Sequence, residues 1–454
     1  MKYEKWSWGY WCLKQYVRFI DWIIHKKTIL TGEENIPQNK PILFAPNHQN
    51  ALSDPMAILL HTRFQPVWLA RADIFKKGII TLLLRFLKIM PVYRLRDGKE
   101  QLAKNDKTFS DSIKVLENNF ALALFPEAAH SAKRQMLSHK KAVPRIVFMA
   151  EEKAKENLDI HIVPVGIYYS SYWKFNRTVI VNFGEPIRVN HFLDEYQTNS
   201  NAATMALRDS IYTSIDKLTI NIKSKTFYTD FELIRELYGK HFLKRKGEEY
   251  SEINLFRSDR ELTHKLDAME TDRPEEVNTV IREAKAYNQL LKKYKLRSWL
   301  LENQKNNFVK IAGNKVLLIL GLPVFLFGFV FNAIPFFATD IPVRKKIKDR
   351  AFWSTFFLSS GIILFPIVYL LQLWAVSGFI PGIWLKLLVL ACMPFSGKIA
   401  FRWYVVWLKT WGRGRLFNLK LFNKKGYNNL LTAQNQLFEK LDKLISSQTL
   451  NSEL

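Results

Sequence analysis

The chain of 454 residues carries 67 Lys and Arg against 41 Asp and Glu, a formal net charge of +26. That length allows two or three domains with sizeable cores, and two cysteines, Cys12 and Cys392, both in apolar segments, indicate neither a disulfide framework nor a zinc site. The basic excess points to nucleic acid, an anionic membrane or phosphorylated substrates; 13 Trp and 33 Phe favour the membrane, because Trp gathers where a surface is half apolar and half wet.

Residues 3–24 mix Trp, Tyr, Phe and Ile with scattered charges, so they lack the uninterrupted apolar stretch of a cleavable signal peptide. Residues 1–27 read as an amphipathic helix in the membrane interface; the alternative is a helix packed on the protein's own core. From 28 to 225, short β-rich runs alternate with helical stretches, the pattern of an α/β domain. The strand candidates are 29–30, 41–45, 66–70, 90–93, 121–125, 160–167 and 178–183, with helices expected near 55–62, 74–88, 100–118, 141–156 and 201–222. The segment 76–87 is unusually apolar between basic ends and suits either a core or contact with lipid.

Within this domain, the stretch Asn47-His48-Gln49-Asn50-Ala51-Leu52-Ser53-Asp54-Pro55 follows a buried strand and precedes a helix. In a continuous helix a separation of six would place His48 and Asp54 about 240° apart, so they meet only across a loop. Asp54 as N-cap with Pro55 at the first helical position supplies that loop. An imidazole held by a carboxylate can take a proton from an alcohol; the plainer reading is a capping Asp beside an ordinary loop His. Three further stretches end strands. Arg94 and Arg96 suit bidentate phosphate binding. Glu127, after Phe125-Pro126 and before Ala128-Ala129-His130-Ser131, could bond a substrate hydroxyl or orient the site. Pro164, between Val163 and Val165, demotes its strand to an edge or irregular one, where those residues would wall an acyl chain.

Residues 226–310 are charged and helical, a solvated arm, with Pro274 starting its second long helix after Thr271-Asp272. Residues 311–411 hold the membrane signal: 316–339 and 351–385 suit spans of about 20 apolar residues, with a shorter run at 387–397. The basic loop 341–350 would lie outside if 316–339 crossed once from a cytoplasmic catalytic part. A re-entrant bend near Gly321-Leu322-Pro323, Gly328 or Asn332-Ala333-Ile334-Pro335 removes the conflict, with 351–375 then crossing outward and the chain returning. Residues 412–454 form a basic tail with a helix.

In order and spacing, the four stretches at strand ends resemble the glycerolipid acyltransferase family, the glycerol-3-phosphate and lysophosphatidate acyltransferases, over about residues 28–225. The resemblance implies a mixed sheet flanked by helices, on the cytoplasmic face of a membrane, that moves an acyl chain to a lipid hydroxyl. Acyl-CoA or acyl-carrier protein is the co-substrate, and membrane lipid the partner; neither metal, cofactor nor nucleic acid is expected. Five residues separate His48 from Asp54 where the family has four, a spacing similar to a branch that includes fungal glycerol-3-phosphate/dihydroxyacetone-phosphate acyltransferases with C-terminal membrane segments. The resemblance implies that His48 is the general base, Asp54 its orienting partner and Arg94 a phosphate ligand. Asn47, Arg96, Glu127, His130, Ser131 and Lys141 join Arg94 at the substrate, and Val163, Pro164 and Val165 at the acyl pocket. The chain departs from the family's Phe-Pro-Glu-Gly-Thr-Arg-Ser at Ala128, Ala129 and His130. Ala takes positive φ less readily than Gly, and the missing Arg shifts phosphate binding onto Arg94, Arg96 or Lys133, Arg134, Lys140 and Lys141. Two alternatives follow from that departure: a phosphate-free lyso-lipid as acceptor, or a catalytically weakened member that binds lipid or serves as a scaffold.

Overall fold

The computed structural model describes residues 3–75, 78–93, 104–154, 157–302 and 307–451. The chain divides into two units, residues 1–219 with 342–362, and residues 220–341 with 363–454.

The first unit is built on a mixed sheet. Its strands are β1 (Lys27–Thr31), β2 (Ile42–Pro46), β3 (Val67–Arg71), β4 (Ile89–Val92), β5 (Leu122–Ala123), β6 (His161–Tyr169), β7 (Thr178–Phe183) and β8 (Ile187–Arg188), in the order β1-β7-β6-β2-β5-β3-β4 with β8 also on β6. Every described pairing is parallel except β6 with β7 and β6 with β8. The strands expected from sequence all form; β8, two residues long, gave no signal.

Alternation along the strands sorts side chains onto two buried faces. On one, Leu43, Ala45, Leu69 and Ile162 pack against Ile113 and Leu116 of α4 (Lys104–Glu117), Ile146 and Phe148 of α5 (Ala142–Lys153), and Leu207 and Ile211 of α7 (Ser200–Asp216). On the other, Ile42, Phe44, Val163, Val165 and Val181 meet Ala57 and Ile58 of α2 (Ser53–Leu59). Coverage of both faces explains the continuous apolar runs of β2, β6 and β7.

Pro164 corrects the edge-strand reading. It lies inside β6, opposite Ala45 of β2. Val165 faces its carbonyl toward β2, accepting from Asn47 N at 3.2 Å, so the alternation turns residue 164 the other way, where its carbonyl accepts from Gly184 N at 2.9 Å. On that side β7 ends at Phe183 and β8 begins at Ile187. The absent proline N–H therefore falls where the neighbouring ladder is already interrupted.

Helix α1 (Trp8–Ile24) is capped by Ser7, which accepts from Tyr10 N. Tyr10, Val17 and Ile20 share a cluster with Leu59, Leu60 and Leu358, while Trp8, Trp11 and Trp22 face outward on the opposite side. Self-packing and an exposed aromatic face therefore coexist on one helix. Buried Lys14 gives its ammonium to the Phe64 carbonyl at 2.9 Å, and burial lowers its pKa to about 8. In α3 (Ile79–Phe86), Ile79 is 81% and Leu82 65% exposed, while Phe86 and the following Leu87 pack on the cluster of Tyr10, Val17 and Ile20.

The second unit is helical. Helices α8 (Tyr228–Arg245), α9 (Glu252–Asp272), α10 (Pro274–Lys293), α12 (Asn307–Leu320), α15 (Ile383–Phe422) and α16 (Lys424–Asn451) follow α6 (Leu193–Thr198) and α7 in the chain, with the short α11 at Trp299–Glu302. Pro274 stands at the start of α10, as its fixed φ and missing donor favour. The charged 226–310 segment is helical and packs on the last helix, Tyr238 of α8 donating to Asp442 of α16, while within it Arg235 pairs with buried Asp259 of α9 at 2.7 Å.

Helices α13 (Leu322–Lys346) and α14 (Trp353–Val376) reach into both units. The segments Leu322–Lys346, Arg350–Phe379 and Ile383–Phe422 are long and apolar enough to cross a membrane. No re-entrant bend appears in α13, which runs unbroken through Gly328 and Asn332-Ala333-Ile334-Pro335. At Gly321 the helical bonds continue, Gly321 N to Leu317 O and Phe325 N to Gly321 O.

Gly166 of β6 leaves no room for a side chain: a Cβ there would stand 2.2 Å from the Leu218 carbonyl oxygen. Gly166→Ala should cost about 1–3 kcal/mol, the usual range for an overpacked core, read as a fall in the midpoint of thermal unfolding. An unchanged midpoint would show that the 218–219 segment does not press on β6.

Candidate active site

The parallel strands β2, β5, β3 and β4 all end on one edge of the sheet, and the loops that leave neighbouring strands meet there. The loop after β2 carries His48 and the loop after β5 carries Glu127. Asp54 lies inside the first turn of α2, one residue past its start at Ser53, so it is not the N-cap expected from sequence. Its carboxylate turns back instead. Asp54 Oδ2 meets His48 Nδ1 at 2.8 Å and accepts from Gln49 N and Asn50 N, each at 2.7 Å. This arrangement holds Nδ1 as the protonated nitrogen and leaves Nε2 as the basic one.

The loop is fixed from several sides. His48 N donates to Glu127 Oε1 at 2.8 Å, and Leu137 N to Glu127 Oε2 at 2.8 Å. Tyr172 OH donates to Gln49 Oε1 at 2.6 Å. Asn47 exchanges two bonds with the backbone of Ile167, donating to its oxygen at 3.1 Å and accepting from its nitrogen at 2.6 Å. Ala51 takes φ 41°, a left-handed conformation unusual for alanine. The His48 ring stacks on Phe125 at 3.8 Å and meets His130 edge-on at 5.2 Å. Aromatic walls of this kind exclude water and strengthen the hydrogen bond beside them.

Glu127 is 1% exposed, and burial pushes its pKa up to about 8 against the opposing pull of the two backbone N–H groups. His130 is pushed down, first by burial and then by neighbouring His48, while Asp349, 3.7 Å from its Nε2, pulls the other way. Both groups are thus driven toward their neutral forms.

The structure brings His48, Asp54, Glu127 and His130 together. Glu127 ties two loops together, each of its oxygens accepting from one backbone N–H, that of His48 and that of Leu137. Asn47 is 1% exposed with its amide on Ile167, so it ties the loop to β6. Val163 and Val165 are fully buried between sheet and α2, and neither presents an open wall for an acyl chain. Ser131 donates to the Gln135 carbonyl at 3.3 Å, and Lys141 reaches Asn201 at 2.8 Å. Arg134, one of the alternative phosphate ligands, is buried and donates to the Tyr169 carbonyl at 2.7 Å. Arg94 and Arg96 lie outside the described residues. Ala128 does adopt φ 56°, so the turn that its side chain put in doubt is made.

Sequence reasoning missed Gln49, Asn50, Tyr172 and Arg177. Arg177 is buried, donates to Ser53 Oγ at 3.2 Å and to His25 Nε2 at 3.1 Å, and so braces the start of α2 from beneath. An isolated arginine just before a strand carries no motif that would have exposed this role.

Residues 27–168 match the family described as Acyltransferase. The chain is 24% identical over 239 residues to glycerol-3-phosphate O-acyltransferase 1 of Saccharomyces cerevisiae, covering 52% of this chain and 30% of that protein. It is 24% identical over 207 residues to 1-acyl-sn-glycerol-3-phosphate acyltransferase of Borreliella burgdorferi, covering 44% and 76%. The chain thus spans under a third of the length of the yeast relative. The crystal structure of the 1-acyl-sn-glycerophosphate acyltransferase PlsC of Thermotoga maritima aligns over 45% of this chain and 76% of that one, at 19% identity and a TM-score of 0.33.

A carboxyl whose pKa is raised on folding keeps a proton that the unfolded chain loses, so it stabilises the fold at low pH and that contribution is lost as pH rises. For Glu127 the window runs from the ordinary carboxyl range up to about 8, with a slope of at most about 1.4 kcal/mol per pH unit. Wild type should therefore lose stability relative to Glu127→Gln between pH 5 and 8 in parallel thermal melts. A constant difference across that range would show that Glu127 stays ionised.

Proposed function

We propose that this chain, with its Acyltransferase domain at residues 27–168, moves a fatty acyl group from acyl-CoA or acyl-carrier protein to a hydroxyl of glycerol-3-phosphate or lysophosphatidate at a membrane surface. The observation that carries the proposal is the 2.8 Å His48–Asp54 contact, with the Asp54 oxygen pinned by two backbone N–H groups at a sheet edge. The activities named for the two curated relatives support the acceptor class. Three apolar helices support residence in the membrane, and the basic residues Arg344, Lys345, Lys346, Lys348 and Arg350 within the first unit favour the cytoplasmic face for catalysis.

In the reaction, the acceptor hydroxyl gives its proton to His48 Nε2 as its oxygen attacks the thioester carbonyl carbon. Collapse of the tetrahedral intermediate breaks the C–S bond, and His48 returns the proton to the departing thiolate, so an ester and a free thiol result. Asp54 stabilises the imidazolium while it exists. Base catalysis of this kind contributes roughly 10²- to 10⁴-fold, and positioning adds to it.

A phosphate-free lyso-lipid is the second reading. It is favoured by His130, which stands at the position of the family's third-motif arginine and is driven toward the neutral form, offering little charge to a phosphate. The turn at Ala128, kept despite the altered sequence, favours a working site over a scaffold.

Full-length protein given labelled acyl-CoA or labelled acyl-carrier protein with glycerol-3-phosphate, lysophosphatidate or a phosphate-free lyso-lipid should acylate a phosphorylated acceptor; product from the neutral lyso-lipid alone would replace the leading acceptor, and no product from either donor would refute the enzyme. His48→Ala should lower turnover by roughly 10²-fold or more without changing the melting midpoint, and near-normal turnover would remove His48 as base. Arg94→Ala should raise KM for a phosphorylated acceptor more than for a neutral one. Equal rises would deny it a phosphate role.

A further inference from the structure

The turn that joins α13 to α14 and the first residues of α14 belong to the same unit as the sheet, and they pack on the His48–Asp54 loop. Ser354 Oγ donates to Asn50 Oδ1 at 2.5 Å, and both residues are buried. Leu52 N donates to Thr355 Oγ1 at 3.2 Å. These two bonds bracket Ala51, whose left-handed backbone persists only if its surroundings hold it there. Asn50 in turn gives its backbone N–H to Asp54 Oδ2, the oxygen that orients His48. On the other flank, the Phe352 ring meets His130 edge-on at 4.8 Å, and Asp349 faces the His130 ring nitrogen at 3.7 Å.

The turn is braced before it reaches the loop. Trp353 Nε1 donates to the Ile347 carbonyl at 2.9 Å, and Asp349 Oδ1 accepts from Ala351 N at 2.9 Å. Arg350 lies over the rings of Trp173 and Trp353, at 5.4 Å and 5.5 Å from their centroids. A side chain held this way acts as a fixed surface, which is what a positioning group requires.

We propose that this turn and the head of α14 are a working part of the acyl-transfer site, with Ser354 and Thr355 as positioning residues that hold the His48–Asp54 loop in its reactive shape. Neither residue touches substrate; each acts through Asn50 or Ala51. The consequence is that the catalytic loop of the sheet domain is completed by the head of an apolar helix. Proton abstraction is then efficient only while that helix is seated.

The inference rests on the acyltransferase reading, and the test separates the two. Wild type and variants are prepared as full chains in phospholipid vesicles and assayed with the donor, acyl-CoA or acyl-carrier protein, and the acceptor that wild type uses best. Ser354→Ala and Thr355→Val should each lower kcat roughly five- to ten-fold, the effect of losing about one neutral hydrogen bond. KM for donor and acceptor should stay within two-fold, about the wild-type value. Ser354→Thr and Thr355→Ser, which keep the hydroxyl, should restore most of kcat. In an Asn50→Ala background Ser354→Ala should cost nothing further, because the bond it removes is already gone. If Ser354→Ala does not fold, the half-buried Thr355 carries the comparison with its serine variant. Wild-type kcat in both Ser354→Ala and Thr355→Val, or equal loss with and without the hydroxyl, would overturn the positioning role while leaving the acyltransferase reading intact. A wild type inactive on every acceptor would overturn the activity and this inference with it.

Discussion

Asp54 Oδ2 accepts from three donors, the His48 ring and the backbone nitrogens of Gln49 and Asn50. A single carboxylate oxygen therefore sets both the curvature of the loop and the direction of the imidazole. Charge-assisted bonds of 2.7–2.8 Å are among the strongest that a protein interior offers, and here they act on a residue with no exposed surface. Removing that oxygen would leave two buried N–H groups unpaired and the ring without a partner, a cost well beyond one lost bond.

Around this centre the polar groups are matched to their burial. Glu127 sits beside the loop with both oxygens on backbone donors, yet burial drives it toward the acid. His130 is likewise driven toward neutrality. The walls are rings: Phe125 against His48, Trp68 behind Phe125, and Phe352 on His130. A carboxylate and imidazole in such a setting interact through little water, which strengthens their bond and fixes the tautomer.

The legible parts of this protein were those encoded locally. Buried runs such as Ile42–Pro46 and Thr178–Phe183 declare themselves by unbroken apolar, β-branched sequence between turns. The His48–Asp54 loop was readable because six residues at helical pitch would have separated the pair. The starting point of α2 was not, because the Asp54 side chain caps backward onto the loop instead of forward onto the helix. Pro164 misled for a related reason: whether a proline is tolerated in a central strand depends on which neighbour faces its missing donor, and that neighbour, the gap between β7 and β8, lies some twenty residues downstream. The roles of Asn47, Arg177 and Ser354 depend on partners 120, 124 and 304 residues away, and no local pattern marks them.

That last separation bears on how the protein is made. The loop at 48–54 leaves the ribosome early, whereas Ser354 and Thr355 follow about three hundred residues later. At a synthesis rate of about 5–20 residues per second, the interval is roughly 15–60 s. In its later part, once Arg188 has been made, every strand of the sheet is present while Asn50 and Leu52 still lack their last partners. The nascent chain therefore carries a formed domain with an unfinished loop, and completion of the loop coincides with arrival of the second apolar helix.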